Sequence, residues 1–504
     1  MAGAVGGGAR EENEEMKEMP NQWPKPRRFD RNLVVIGAGA AGLVASYVAA
    51  AARAKVTLIE AQKMGGDCLN FGCVPSKALI RSATFLRQAR HSQRLGIARA
   101  DVNYDFAEVL ARVHRIIKTV EPHDSAERYA KLGVEVINGN ARITSPWTVE
   151  VNGKVLTTRA IVIATGSRPV IPTIPGLEQA RYYTSDTIWS LTERPERLIV
   201  LGGGPIGCEL AQAFALLDCH VVQVERAGLL GREDPDAVAL VEAALRASGV
   251  RVLTQAEALR FESEADEQRL VVRHRDGTEE ALPFDAILCA VGRIARTEGF
   301  GLEELGIPIS SKGTIETDAW LQTLYPNIYA CGDVAGPYQF THVAAHQAWY
   351  ASVNALFGSV KRFKVDYSVI PWTTFTHPEV ARAGPSETEA SKRGVKFEVT
   401  RYELAELDRA ITDEAAHGFV KVLTVPGQDR ILGVTIVSER ASDLLAEFVL
   451  AMKYGLGLNK ILGTIHTYPT WPEANKYVAS EWRRAHLPSR LLHWVEKYHT
   501  WRRG

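Results

Sequence analysis

The segment Gly65-Gly-Asp-Cys68-Leu-Asn-Phe-Gly-Cys73-Val-Pro-Ser-Lys77 holds two cysteines five positions apart. That spacing predicts thiols a little over one turn apart at the start of a helix. A helix N-terminus lowers a thiol pKa, so one sulfur can exist as thiolate near neutral pH. One thiol can then attack a substrate while the other resolves the adduct or communicates with an electron donor. The competing readings are a zinc half-site and inert buried thiols. Zinc would need two more Cys or His ligands at matching spacing. The remaining cysteines, Cys208, Cys219, Cys289 and Cys331, form no second pair. Cys208 and Cys331 read as small core residues. His342 and His346 are four apart, but no Glu follows His342, so the HExxH pattern fails and no metal site is expected.

A thiol pair needs elements to position it and to bring electrons. Leu33-Val-Val-Ile36 reads as a buried strand, Gly37-Ala-Gly39-Ala-Ala-Gly42 as the turn, and an Ala-rich helix runs to Ala52. Val56-Thr-Leu-Ile59 is the next strand, ending in Glu60. The pattern recurs as Leu198-Ile-Val-Leu201, Gly202-Gly-Gly204-Pro-Ile-Gly207, a helix from Glu209 to Leu217, and His220-Val-Val-Gln-Val224 before Glu225. In both copies the first glycine and the acid are 23 residues apart. A lone GxGxxG is weak evidence; two complete strand–turn–helix–strand copies predict two dinucleotide sites. The glycines admit a pyrophosphate to the helix N-terminus, and Glu60 and Glu225 can each accept from a ribose. An acid at that place disfavours a 2′-phosphate, so Glu225 favours NADH over NADPH, with Arg226 beside it acting the other way.

Composition narrows the class. The 504 residues carry 59 basic and 59 acidic side chains, which argues against a dedicated nucleic-acid binder. Leu33 to Ala52 has no charge and could span a bilayer by length, but its Gly/Ala content and glycine spacing favour the dinucleotide reading. Neither a membrane nor a nucleic acid is an expected partner. No secretory signal is legible at the start of the sequence, so the cytoplasm is the expected compartment.

These motifs resemble the class I pyridine nucleotide–disulfide oxidoreductases, a family that includes glutathione reductase, dihydrolipoyl dehydrogenase and mercuric reductase. The resemblance runs from about Arg31 to about Arg484. It implies an α/β fold with two Rossmann-like domains, for FAD and NAD(P), and a C-terminal α+β dimerisation domain. By it, the first motif (Gly37, Gly39, Gly42, Glu60) binds FAD and the second (Gly202, Gly204, Gly207, Glu225) binds NADH or NADPH. Cys73 would be the thiol against the flavin and Cys68 the interchange thiol facing substrate. Lys77 and Glu209 would pair near the flavin. Asp333, Thr165 and Gly166 would line the FAD site, with Gly66, Gly292 and Ala344 as further cofactor-binding candidates. Pro371-Trp-Thr-Thr-Phe-Thr-His-Pro-Glu379 matches the start of the family's dimerisation domain, which implies a homodimer in which Cys68 and residues 466–473 meet across the two-fold axis.

One departure bears on substrate. The family's disulfide reductases place a His directly before Pro-Thr and a Glu four residues after that Pro. Here the stretch reads Ile465-His-Thr-Tyr468-Pro469-Thr-Trp-Pro-Glu473. Glu473 is present, Tyr468 holds the His place, and His466 lies two residues earlier. A Tyr near pKa 10 is a poor proton shuttle at pH 7. Mercuric reductase is similar in having a Tyr there, and Phe340-Thr-His-Val-Ala-Ala345 resembles its flavin-side segment, yet no Cys follows Cys331 to deliver metal. The expected acceptor is a small-molecule disulfide or a thiol-bound metal. Dihydrolipoyl dehydrogenase, a flavin redox sensor and a quinone diaphorase are the alternatives.

The expected division is a tail at 1–30, the FAD domain at 31–177, the NAD(P) domain at 178–295, a return to the FAD domain at 296–365, the dimerisation domain at 366–485 and a helical tail at 486–504.

Overall fold

Leu33, Val34, Val35 and Ile36 are all buried, as a strand covered on both faces requires. In the computed structural model, which describes residues 23–264 and 267–504, they belong to the strand Arg31–Ile36. Most of the expected N-terminal tail, up to residue 22, lies outside the described residues. The described chain divides into two compact units, each assembled from separated stretches of sequence.

The first unit comprises the stretch ending at Gln62 together with Tyr129–Gly166 and Ala295–Val365. Arg31–Ile36 pairs in parallel with Val56–Glu60 on one side and with Lys154–Ile163 on the other. Ile328–Ala330 joins the far edge of Lys154–Ile163, also in parallel. The early part of Lys154–Ile163 instead runs antiparallel to Thr148–Val151, so one long strand serves two sheet directions. Ser352 of the helix Thr341–Phe357 donates to the Ala45 carbonyl of the motif helix Ala40–Ala51 at 3.1 Å. Ile36, Ile163, Tyr325 and Ile328 share this unit's core.

The second unit comprises Lys63–Arg128, Ser167–Ile294 and the stretch from Asp366 onward. Its parallel sheet orders Arg251–Thr254, His220–Glu225, Arg197–Leu201, Ala286–Cys289 and Tyr182–Thr184. The helix after the second glycine motif is Pro205–Leu216, four residues earlier than the expected start at Glu209. Pro205 explains the difference: at the first helical position proline lacks only an amide that has no intrahelical partner. From Pro371 onward the strands are antiparallel, in the order Pro371–Thr374, Glu379–Ala383, Ile431–Ser438, Phe419–Thr424, Glu398–Glu403. Phe448 and Val478, from the helices Ala441–Lys453 and Glu473–Ala485, pack with Val420 and Ile436 from this sheet.

The helix Glu473–Ala485 stops just before the helical tail expected at 486–504, and that tail holds one helix, Ser489–Arg502. Glu473–Ala485 ends, and Ser489–Arg502 begins after Leu487-Pro488, because proline disfavours helix in the residue before it. No helix among the described residues is long and apolar enough to cross a membrane.

Candidate active site

The two glycine motifs fold to nearly the same local geometry. Gly37 and Gly202 have φ of +99° and +112°, and a Cβ on either would stand 2.4 Å from a carbonyl oxygen, of Ala164 and Ala290 respectively. Gly39 and Gly204 are the N-caps of their helices, and neither helix start is closed by a side chain. A Cβ on Gly42 or Gly207 would collide with the carbonyl of the first glycine of its own motif, which is how closely helix meets turn. Each acid is tied in the same way. Glu60 accepts from the Ala38 amide at 2.6 Å and the Gln62 amide at 2.7 Å. Glu225 accepts from Gly203 at 2.6 Å and Ala227 at 2.7 Å. The acids therefore hold the turns open, and a carboxylate with two oxygens has lone pairs left for a ribose. Open amides, close backbone approach and an acid at the neighbouring strand end fit a dinucleotide in both places.

Other candidates of the first unit gather round its motif. Thr165 follows Ala164, against which Gly37 packs, and donates its hydroxyl to the Arg296 carbonyl at 2.8 Å, while the Gly166 carbonyl accepts from Arg296 at 3.0 Å. Gly332, next to Asp333, lies against Ala41 of the motif helix and Ala344 of Thr341–Phe357. Its amide donates to Gln347 at 2.6 Å. In the second unit the Gly66 carbonyl accepts from the Asn70 side chain at 2.9 Å, and the Gly292 carbonyl from the Val170 amide at 3.0 Å.

The cysteine segment is not the single helix start that the spacing predicts. Cys68 lies in the short helix Gly66–Asn70, and Cys73 is the first residue of Cys73–Arg90. The break at Phe71-Gly72 is held by the Asp67 carbonyl, which accepts both amides, at 2.9 and 2.7 Å. The Phe71 carbonyl accepts from the indole of the buried Trp189 at 2.7 Å. Cys73 thus occupies the helix N-terminus alone, and no side chain caps that end. Cys68 is half-buried and Cys73 exposed, whereas the other four cysteines are buried. Burial pushes each of those four thiols up to about 12, which leaves them protonated and inert at neutral pH.

Two residues that sequence spacing could not find surround this segment. Arg293, directly after Gly292, forms an ion pair with Asp67 beside Cys68 and donates to Ser167 Oγ at 2.8 Å and Ser185 Oγ at 3.2 Å. Phe375 completes the Lys77–Glu209 pair. Lys77 Nζ lies 2.8 Å from Glu209 Oε2 and 4.3 Å from the Phe375 ring centroid, while the Phe375 amide donates to Glu209 Oε1 at 2.9 Å. Glu209 is buried, so both of its oxygens are spoken for.

The C-terminal motif separates its two ring residues. His466 is turned inward, with Nε2 3.0 Å from Glu447 Oε1 and Nδ1 3.1 Å from the Thr464 carbonyl. Tyr468 is turned outward, 65% exposed, and donates to Asp408 at 2.9 Å. That hydrogen bond raises its pKa above the ordinary tyrosine value, so it stays protonated at neutral pH. Glu473 is buried and accepts from the Thr470 amide at 3.0 Å, which fixes the turn bearing Tyr468.

Among the described residues, the one group of carboxylates close enough to hold a metal ion is Asp234, Asp236 and Glu387. Lys421 Nζ already lies there, 3.1, 2.6 and 2.7 Å from them. An ammonium thus occupies the cation position. His342 stacks on Phe340, and His346 meets Tyr350 edge-on; neither joins such a group.

Two dinucleotide folds in one chain, with one thiol at a helix N-terminus and a second in the short helix before it, define a nucleotide-dependent thiol redox protein. Residues 31–348 match the family model described as pyridine nucleotide-disulphide oxidoreductase, and residues 370–479 match its dimerisation domain. A dihydrolipoyl dehydrogenase of Chlamydia muridarum is 34% identical over 447 residues, covering 87% of this chain and 94% of that one. A mercuric reductase of Lysinibacillus sphaericus is 33% identical over 449 residues, covering 89% and 82%. The structure of the HOCl-induced flavoprotein disulfide reductase RclA from Escherichia coli superposes with a TM-score of 0.79 at 28% identity, over 89% of this chain and 99% of that one. The chain belongs to the pyridine nucleotide-disulphide oxidoreductase family, a family of FAD- and NAD(P)H-dependent enzymes.

Proposed function

We propose that the protein is a homodimeric, mercuric-reductase-like enzyme that passes two electrons from NAD(P)H to the Cys68–Cys73 pair and on to a small disulfide or a thiol-bound thiophilic metal ion. Gly37, Gly39, Gly42, Glu60, Thr165, Gly166, Asp333 and Ala344 would hold FAD, and Gly202, Gly204, Gly207 and Glu225 the nicotinamide nucleotide, with NADH favoured. Bound FAD supplies the two-electron relay between a hydride donor and a disulfide. Lys77, fixed by Glu209 and Phe375, keeps one positive charge in place.

The thiol chemistry belongs to the chain itself. With the pair reduced, the Cys68 thiolate attacks one sulfur of an acceptor disulfide, and the other sulfur leaves as a thiolate that takes a proton. Cys73 then attacks Cys68, forming the Cys68–Cys73 bond and releasing the second thiol. With a divalent metal ion, both thiolates ligate it; the two sulfur–metal bonds then break as the sulfurs give up two electrons, forming the Cys68–Cys73 bond and releasing the metal in the zero oxidation state. Tyr468 carries the choice of acceptor. Held protonated by Asp408, it cannot serve as the base that removes a proton from an incoming dithiol. This favours the reductive direction, with metal or disulfide, over oxidation of dihydrolipoamide.

An anaerobic titration with NADH and with NADPH tests the relay. A long-wavelength absorbance band after two electrons is the expected sign of a Cys73 thiolate stacked on oxidised flavin. Direct bleaching without the band means that the thiols lie off the electron path, and the protein is a diaphorase or sensor. NAD(P)H oxidation stimulated by Hg(II) in excess thiol, and lost in Cys73→Ala, is the expected turnover. Brisk NAD⁺-dependent oxidation of dihydrolipoamide by the unmodified chain would instead establish dihydrolipoyl dehydrogenase.

A further inference from the structure

The helix Ser489–Arg502 lies beyond the residues matched by the dimerisation-domain model, which end at 479, and every residue from 490 to 504 is exposed. Large apolar and aromatic side chains nevertheless gather toward one side of it. Leu491, Trp494, Val495, Tyr498 and Trp501 recur at helical spacing on one side, with Leu492 at its margin. Trp494 is 69% exposed and Trp501 75%. Such an aromatic stripe is too large to be a scatter of single surface residues. The other side carries Arg490, His493, Glu496 and Lys497, with Arg503 just past the helix end, while His499 and Arg502 fall within the arc of the aromatic side toward its C-terminal end. Over the whole helix and Arg503, four Arg/Lys meet one acid, Glu496.

What covers such a face is decided by its two halves together. A second protein would need an apolar groove with acidic rims. A bilayer surface with anionic headgroups offers both chemistries along its whole extent: acyl-chain boundary for Trp, Leu and Val, and phosphate for Arg and Lys. Trp and Tyr, with a polar atom on an apolar ring, are the side chains enriched at that boundary. The start of the helix is defined as well. His486 stacks on Trp482 with centroids 4.2 Å apart and places Nε2 2.9 Å from Glu398, so the chain is anchored up to His486 and turns at Leu487-Pro488. We propose that Ser489–Arg502 is an interfacial helix that docks the protein peripherally on an anionic membrane surface, with its aromatic face inward. This proposal departs from the expectation that no membrane is a partner.

The test is flotation of the full-length, flavin-loaded protein with vesicles of phosphatidylcholine and phosphatidylglycerol, against vesicles of phosphatidylcholine alone. The expected result is binding to the anionic vesicles that weakens as salt is raised. The combined variant Arg490→Gln, Lys497→Gln, Arg503→Gln should lose about a hundredfold in partition coefficient, about fivefold for each cation removed. Trp494→Ala with Trp501→Ala should abolish flotation. Flavin absorbance and melting temperature, unchanged in both variants, establish that they are folded. Absence of flotation with anionic vesicles, or flotation that neither variant alters, overturns the proposal. So does concentration-dependent association beyond a dimer that the Trp variant removes, since the face would then cover a second copy of this chain.

Discussion

Replacing Gly202 by alanine should separate the two nucleotide sites. Gly202 has φ of +112°, which costs an L residue about 1–2 kcal/mol. The new Cβ would stand 2.4 Å from the Ala290 carbonyl oxygen, and the obstacle is backbone rather than a side chain that could swing away. Relieving it moves the turn, which overpacking studies place at about 1–3 kcal/mol. The turn carries the Gly203 amide and leads into the uncapped start of Pro205–Leu216. If about 2–4 kcal/mol falls on nucleotide binding, Kd for NADH rises about 30- to 1000-fold. Calorimetric titration of NADH and NADPH into the flavin-loaded protein measures this, with flavin content read by absorbance. Gly37→Ala meets the same obstruction, from Ala164, and is the reciprocal control: flavin should be lost there and retained in Gly202→Ala. A folded Gly202→Ala protein with unchanged Kd for both nucleotides, or one that loses flavin as completely as Gly37→Ala, refutes the reasoning.

Cys68→Ser should abolish turnover of disulfides and metal while sparing reduction of quinone acceptors, which need no thiol; steady-state assays with both acceptor types decide. Lys421→Met should destabilise the protein by about 3–5 kcal/mol in denaturant unfolding, because it leaves the buried Asp234 and its neighbours without their cation. Burial would raise the Glu439 pKa, but His377, 3.3 Å away, and Arg87, at 2.6 Å, lower it to about 2. A folded value below the unfolded 4.5 means stability present above pH 4.5 and lost as pH falls from there toward 2. The loss attributable to this group is up to about 3 kcal/mol, and Glu439→Gln should flatten the acid limb of a melting-temperature profile.

The sequence was legible where chemistry and geometry share a short window. Glycine, helix start and acid lie within 23 residues in each motif, and both copies fold alike. The break between the cysteines was not legible. Gly72 is a local stop signal, but the Asp67 backbone that holds the break has no side-chain mark in the sequence, and Trp189, which takes the Phe71 carbonyl, lies 118 residues further on. Distance in sequence also hid Phe375 behind Glu209, 166 residues away, and Arg293 beside Asp67, 226 away. For the C-terminal motif, the types of His466 and Tyr468 were plain, but which turns inward is set by Glu447 and Asp408. The start of Pro205–Leu216 was an available signal: proline at a first helical position is a local rule.

The short span between the two cysteines has a consequence for chain entropy. A bond from Cys68 to Cys73 would close a loop of six residues. Loop-closure entropy assigns so small a ring about 2 kcal/mol, against more than 4 for a ring of a hundred residues. Opening and closing such a bond constrains the unfolded ensemble far less than a long-range bridge would. If the pair carries electrons as proposed, cycling its bond would change the stability of the chain by no more than about 2 kcal/mol, less than half of what a ring of a hundred residues would impose.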